Sequence, residues 1–77
     1  MRLFGHDGEK LIELDSLGVS LKNKEELLLL EEFVAYCIKS WDKRDEDFSH
    51  EHFIDFLEFK KKTSTKDIID IQICKGN

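Results

Sequence analysis

The stretch from Asn23 to Trp41 constrains the fold of this chain most, because it concentrates apolar residues at helical spacing. Asn23 is a natural helix N-cap, and Glu26 follows three positions later, as in a capping box. One stripe of the predicted helix holds Leu27, Leu30, Val34, Cys37, Ile38 and Trp41. The residues of that stripe expected to face a sheet are Leu30, Val34, Cys37 and Trp41.

The apolar arc of this helix is wider than one small sheet readily covers. Leu29, Phe33 and Tyr36 widen it to more than half of the helix circumference. We therefore expect these three residues to form a second surface, which a homodimer would use.

The segments before the helix alternate between apolar and polar residues, which is typical of strands. A short strand is expected within residues 1–6 and another within residues 10–15, joined at Asp7-Gly8, because glycine accepts the positive φ of a tight hairpin turn. Leu17, Val19 and Leu21 continue the alternation, so a further stretch of strand with a bulge at Gly18 is predicted.

The segment 48–59 after the helix fits either a strand or a helix. As a helix, it would carry Glu51, Asp55 and Glu58 on one polar stripe, but its closely spaced phenylalanines favour a strand. Residues 67–74 alternate clearly, which predicts a closing strand. The side chains expected to point inward from it are Ile69, Ile71 and Ile73.

These elements predict one small α+β domain over residues 1–77. Three or four strands in ββ-α-ββ order would form a mostly antiparallel sheet, with the long helix packed on one face.

The net charge of −5 excludes the basic surface of a typical nucleic-acid binder. Such a charge suits a basic protein partner, although it also serves solubility alone. No apolar run is long enough to span a bilayer, and no apolar signal segment follows the first residues, so we expect a cytoplasmic protein. In that compartment Cys37 and Cys74 are expected to be free thiols, with a disulfide as the alternative.

His50 and His52 are the residues that most resemble metal ligands. On a strand, side chains two positions apart project to the same face, so both imidazoles could reach one zinc ion. A zinc site needs a third ligand, which nothing in the sequence places nearby. We therefore expect no cofactor, and without a catalytic motif we expect no enzyme.

Charge is unevenly distributed after the long helix. Seven acids and two bases lie between Asp42 and Glu58, whereas five bases and two acids follow from Phe59 to the end. Aromatic residues among the acids are typical of interface hot spots. The predicted partner-binding residues are Trp41, Asp45, Glu46, Asp47, Phe48, Glu51, Phe53 and Asp55. The simpler interpretation is a solvated loop followed by a solvated turn.

The order of these features resembles small immunity proteins of bacterial polymorphic-toxin systems. The residues that carry the resemblance are Ile12-Glu13-Leu14-Asp15, Gly18-Val19-Ser20-Leu21, the leucine-rich helix from Glu25 to Ile38, Ser49-His50-Glu51-His52-Phe53, and the strand from Asp67 to Ile73. The resemblance implies a compact α+β protein that binds and neutralises a toxin domain, and it brings no catalytic residues. With the acidic charge, our first hypothesis is an inhibitor of a basic toxin or nuclease. A metal-binding regulatory domain and a homodimer are the alternatives.

Overall fold

The computed structural model of the chain describes residues 1–60 and 69–76. The elements are β1 (Leu3–Asp7), β2 (Lys10–Leu14), α1 (Lys24–Arg44), a 3₁₀ turn (Asp45–Asp47), β3 (His50–His52), α2 (Phe53–Phe59) and β4 (Gln72–Cys74). The α+β class and the long helix are as predicted. The single sheet is not: β1 pairs with β2 and β3 with β4, in two separate antiparallel sheets. A second helix also interrupts the predicted ββ-α-ββ order.

The first two strands form the predicted hairpin. Asp7 pairs with Lys10, so Gly8 and Glu9 are the two residues of the loop. Gly8 has a φ of 64° and Glu9 a negative φ, which is the combination found in type II′ turns. Glycine is needed at Gly8 because the loop requires a positive φ there.

The connection from residue 15 to residue 22 contains no strand, in contrast to the prediction. Leu17 and Val19 are exposed, and the predicted bulge at Gly18 is absent because these residues pair with no strand. Alternation alone did not produce a strand: no described segment pairs with these residues, and a strand requires such a hydrogen-bonded partner.

The long helix begins as the sequence predicts. The side-chain oxygen of Asn23 accepts a hydrogen bond from the backbone N–H of Glu26 at 3.1 Å. The carboxylate of Glu26 in turn accepts the N–H of Lys22 at 3.1 Å, one residue earlier than in the usual capping box. The reciprocal bonds fix where α1 starts.

The segment 53–59 is a helix, so the preference for a strand over residues 48–59 is correct only for the short β3. Phe53, Phe56 and Leu57 recur at helical spacing and point inward, while Asp55 and Glu58 are exposed. A helix is therefore the conformation that separates apolar from acidic side chains in this segment.

The buried core joins α1 to α2. Phe33 and Cys37 from α1 meet Phe56 from α2, and half-buried side chains from α2 and the β4 segment surround them, namely Phe53, Leu57, Ile71 and Ile73. The ring of Phe33 lies 5.2 Å from that of Phe53 and 5.5 Å from that of Phe56, in tilted arrangements that aromatic pairs favour.

The buried face of α1 is only partly the predicted one: Cys37 is buried as expected, but its neighbours in the core are not those predicted. Phe33, expected at a second surface, is 1% exposed. Tyr36, expected there too, stays 36% exposed but packs its ring 5.4 Å from Phe56. Val34, expected against a sheet, is 48% exposed. The helix is thus rotated about its axis relative to the prediction, because it packs mainly on the aromatic residues of α2.

The closing strand is shorter than predicted. Ile71 and Ile73 pack against the core as expected, but Ile69 is exposed. Residues 67 and 68 of the predicted strand, and residues 61–66 before it, lie outside the described residues.

Because of the orientation of α1, two neighbouring substitutions should lower the free energy of unfolding by different amounts. Phe33→Leu should lower the free energy of unfolding by about 1–2 kcal/mol, because it removes packed ring atoms from the core. Val34→Ala should change it by less than about 0.5 kcal/mol, because the side chain is largely solvated. Urea unfolding followed by helical circular dichroism measures both. Equal losses would contradict the observed orientation of α1.

Candidate functional site

The carboxyl end of α1 passes directly into an exposed acidic turn, Asp45–Asp47. The backbone N–H of Asp45 donates to the carbonyl of Trp41, and the carbonyl of Asp45 accepts the N–H of Phe48 at 3.1 Å. Asp45 has φ 48° and ψ −110°, a conformation that suits glycine far better than aspartate. The acidic turn is therefore held in a strained backbone conformation, a feature that concentrates at functional sites.

Trp41 lies beside this acidic turn on a rigid support. Its ring stacks on that of Phe48, with the centroids 4.8 Å apart and the planes inclined by 20°. Phe48 is 2% exposed, whereas Trp41 is 38% exposed. A buried phenylalanine thus holds one side of the indole while part of its surface remains open to solvent.

Lys75 reaches the same surface from the far end of the chain. Its Nζ atom lies 5.7 Å from the centre of the Trp41 ring and 3.5 Å from the carbonyl oxygen of Asp45. The backbone N–H of Lys75 donates to Ser49 at 2.8 Å, which extends the pairing of β3 with β4 and sets this position. Sequence reasoning missed Lys75, because only the strand pairing brings it to the acidic turn.

The structure brings together half of the predicted partner-binding residues. Trp41, Asp45, Glu46 and Asp47 are all exposed, and the hydrogen bond from Asp45 to the carbonyl of Trp41 joins the indole to the acidic turn. We call these four residues the Trp41 surface. A shallow groove beside it is lined by Glu46, Asp47, Phe48, Ser49, Lys75 and Gly76.

The other predicted partner-binding residues do not belong to this surface. Phe48 and Phe53 were expected to be exposed, but Phe48 is buried and Phe53 packs against the core. The side chain of Glu51 is only 12% exposed and accepts a hydrogen bond from the hydroxyl of Ser40 at 2.7 Å. Asp55 is exposed on α2. Phe48, Phe53 and Glu51 therefore support the fold rather than offer contacts.

His50 and His52 lie side by side on β3, as the sequence predicts. Their ring centroids are 5.0 Å apart, but Nδ1 of His50 bonds to Ser49 and Nδ1 of His52 bonds to Asp70. Within residues 1–60 and 69–76, no group of three or more potential ligands surrounds a possible metal position. The two imidazoles thus lack a described third ligand.

Asp70 links β3, α2 and the approach to β4. One of its carboxylate oxygens lies 2.6 Å from Nδ1 of His52, and the other accepts the backbone N–H of Ile54 at 3.1 Å. The hydrogen bond to Asp70 raises the pKa of His52 above its usual value, despite the opposing effect of partial burial. Partial burial raises the pKa of Asp70, but the bonds from His52 and Ile54 outweigh it and hold that pKa below its usual value.

The two cysteines are free thiols, as expected. Burial, and then the nearby charge of Glu51, raises the pKa of Cys37, so this thiol is a poor nucleophile. Cys74 is exposed at the end of β4.

Comparison of the chain with protein-family models, with curated proteins and with solved structures gave no match. Across the described part of the chain, no helix combines the length and the apolar character needed to cross a membrane.

The His52–Asp70 pair predicts a specific pH dependence of stability. Protonated His52 stabilises the fold below its unfolded pKa of about 6.5, and this contribution is lost as the pH rises through the higher folded pKa. Ionised Asp70 contributes above its unfolded pKa of about 3.9 and loses that contribution at lower pH. The stability difference between wild type and Asp70→Asn should therefore be largest between about pH 4 and pH 6.5, and should shrink above this window.

Urea unfolding at several pH values tests this expectation. Asparagine at position 70 keeps an oxygen for the N–H of Ile54, so the comparison isolates the charge. The exposed change Asp42→Asn, which is not involved in the pair, serves as the control. A difference that stays constant from about pH 5 to about pH 8 would contradict the predicted linkage.

The backbone conformation of Asp45 predicts that its substitution by glycine does not lower the free energy of unfolding. Asp45→Gly should leave the free energy of unfolding unchanged or raise it by up to about 2 kcal/mol, since relief of backbone strain offsets the added flexibility of the unfolded chain. Asp47→Gly, at a position with negative φ, should lower it by about 0.5–1 kcal/mol. Thermal unfolding of the two variants distinguishes them, and equal destabilisation would argue against strain at Asp45.

Proposed function

We propose that this chain is a non-catalytic protein-interaction module that binds and inhibits a basic protein through the Trp41 surface. The observation that carries the proposal is the exposed indole of Trp41, held against buried Phe48 and bordered by the carboxylates of the acidic turn. The resemblance to immunity proteins supplies the expected class of partner, a toxin domain such as a nuclease.

The Trp41 surface has the composition of an interface hot spot. Tryptophan is enriched among residues that dominate binding energy, and a side chain held in place loses little conformational entropy when a partner binds. The stacking on Phe48 provides this support. A partner that covers the indole would bury its remaining exposed area.

The acids around Trp41 favour a basic partner. Asp45, Glu46 and Asp47 are exposed, so their charges speed the encounter with a basic surface and select against acidic partners. Lys75 offsets part of this charge from one side only. The net charge of −5 acts in the same direction over longer distances.

The proposal places this activity in the cytoplasm. Both cysteines are free thiols, which suits a reducing compartment. There the protein would protect its own cell by occupying the surface that a toxin domain uses to bind its target.

The proposal predicts that a toxin gene lies next to the gene of this chain, and co-purification with the product of that gene tests it. Trp41→Ala should weaken binding by at least about 30-fold, because truncation of a hot-spot tryptophan costs about 2 kcal/mol or more. Glu46→Gln with Asp47→Asn should mainly slow association, and this effect should diminish at high salt.

The matched control is the double change Glu32→Gln with Glu58→Gln, which removes the same charge from exposed positions elsewhere. Calorimetry and surface plasmon resonance measure affinity and association rate. No complex with the adjacent gene product would count against the inhibitor function. A complex that is equally sensitive to both double variants would count against the Trp41 surface.

A further inference from the structure

An apolar stripe runs along the solvent-facing side of α1. Leu27, Val34 and Trp41 recur every second turn, and Ile38 lies beside them. The exposed fractions of the side chains are 55% for Leu27, 48% for Val34, 38% for Trp41 and 58% for Ile38. The stripe extends over about 21 Å of helix. The core forms on another face of α1, through Phe33 and Cys37, and among residues 1–60 and 69–76 no element covers this stripe.

We propose that a second copy of this chain covers the stripe, with the two α1 helices antiparallel. This inference does not rest on the proposed function. In an antiparallel pair, Val34 lies at the twofold axis and faces Val34 of the second copy. Leu27 of each chain then lies opposite Trp41 of the other, so the two ends of the stripe cover each other.

Charge complementarity favours the antiparallel arrangement. Lys24 and Asp42 are exposed at opposite ends of α1. They point in the same direction, because they are separated by whole helical turns. A twofold axis through Val34 places Lys24 of one copy next to Asp42 of the other. The symmetry repeats this contact, so the dimer contains two such pairs. A parallel pair makes neither contact, and it also aligns the two helix dipoles unfavourably.

The size of the stripe predicts a weak dimer. Four half-exposed side chains per copy bury less area than the roughly 1,600 Å² typical of stable complexes. We therefore expect a dissociation constant of roughly 10–100 μM, with monomer prevailing in dilute solution. Trp41 would contact the second copy in the dimer, so self-association and binding at the Trp41 surface would compete.

Sedimentation of the full chain alone, from about 10 to about 500 μM, tests the proposal. The wild type should shift from monomer to dimer across this range. Val34→Asp should weaken the dimer by at least about 100-fold, because it places two carboxylates against each other at the axis. Leu28→Asp is the matched control, because Leu28 is 45% exposed but lies off the stripe; it should leave the dimer intact.

A charge exchange tests the antiparallel arrangement. Lys24→Asp and Asp42→Lys should each weaken the dimer by about 3- to 10-fold, and the double variant should restore it. Circular dichroism verifies that each variant folds, and Ile38→Asp replaces Val34→Asp if the latter does not.

A chain that stays monomeric at every concentration overturns the proposal and leaves the stripe to a partner of another kind. Equal losses from Val34→Asp and Leu28→Asp overturn the role of the stripe. A double variant weaker than either single charge variant overturns the antiparallel pairing. Because no toxin is present, none of these outcomes bears on the proposed inhibitor function.

Discussion

The burial of Phe33 against α2 determines how α1 packs against the second half of the chain. Its contacts with Phe53 and Phe56 fix the rotation of α1, and every other residue of that helix then follows from the helical repeat. Cys37 follows one turn later into the core, while Val34 and Ile38 turn to solvent. With one aromatic cluster supplying most of the buried surface, the orientation of the longest element depends on a few rings.

This dependence explains which features could be predicted from the sequence. Asn23 and Gly8 act through bonds and backbone angles within a few residues, so the start of α1 and the hairpin turn were predicted correctly. The buried side of the apolar arc of α1 was correct for Cys37 but not for Phe33 and Val34, because the choice between these two depends on the element that α1 meets. That element was predicted as a strand and is the helix α2.

The same limit applies to the candidate site. Composition identified Trp41 and the acids of the acidic turn, since aromatic and charged residues adjacent in sequence remain adjacent in space. It could not separate exposed Trp41 from buried Phe48, which differ only in their packing. Lys75 and Asp70 reach their partners through the antiparallel pairing of β3 with β4, and this pairing is not encoded in any local pattern.

The packing of α1 explains how a small core leaves an apolar surface exposed on this helix. Because Phe33 and Phe56 take up the available aromatic packing, the apolar stripe next to the buried face of α1 remains solvated, and within that stripe the last residue, Trp41, gains support from Phe48. The acidic turn then begins within one helical turn of Trp41, with its backbone strained at Asp45. The apolar stripe ends in a supported indole beside three carboxylates. Its two ends therefore differ, because the negative charge of the acidic turn lies at only one of them. Any partner that uses this surface, including a second copy, must match both the apolar stripe and the charged end, which is the basis of selectivity when the buried area is small.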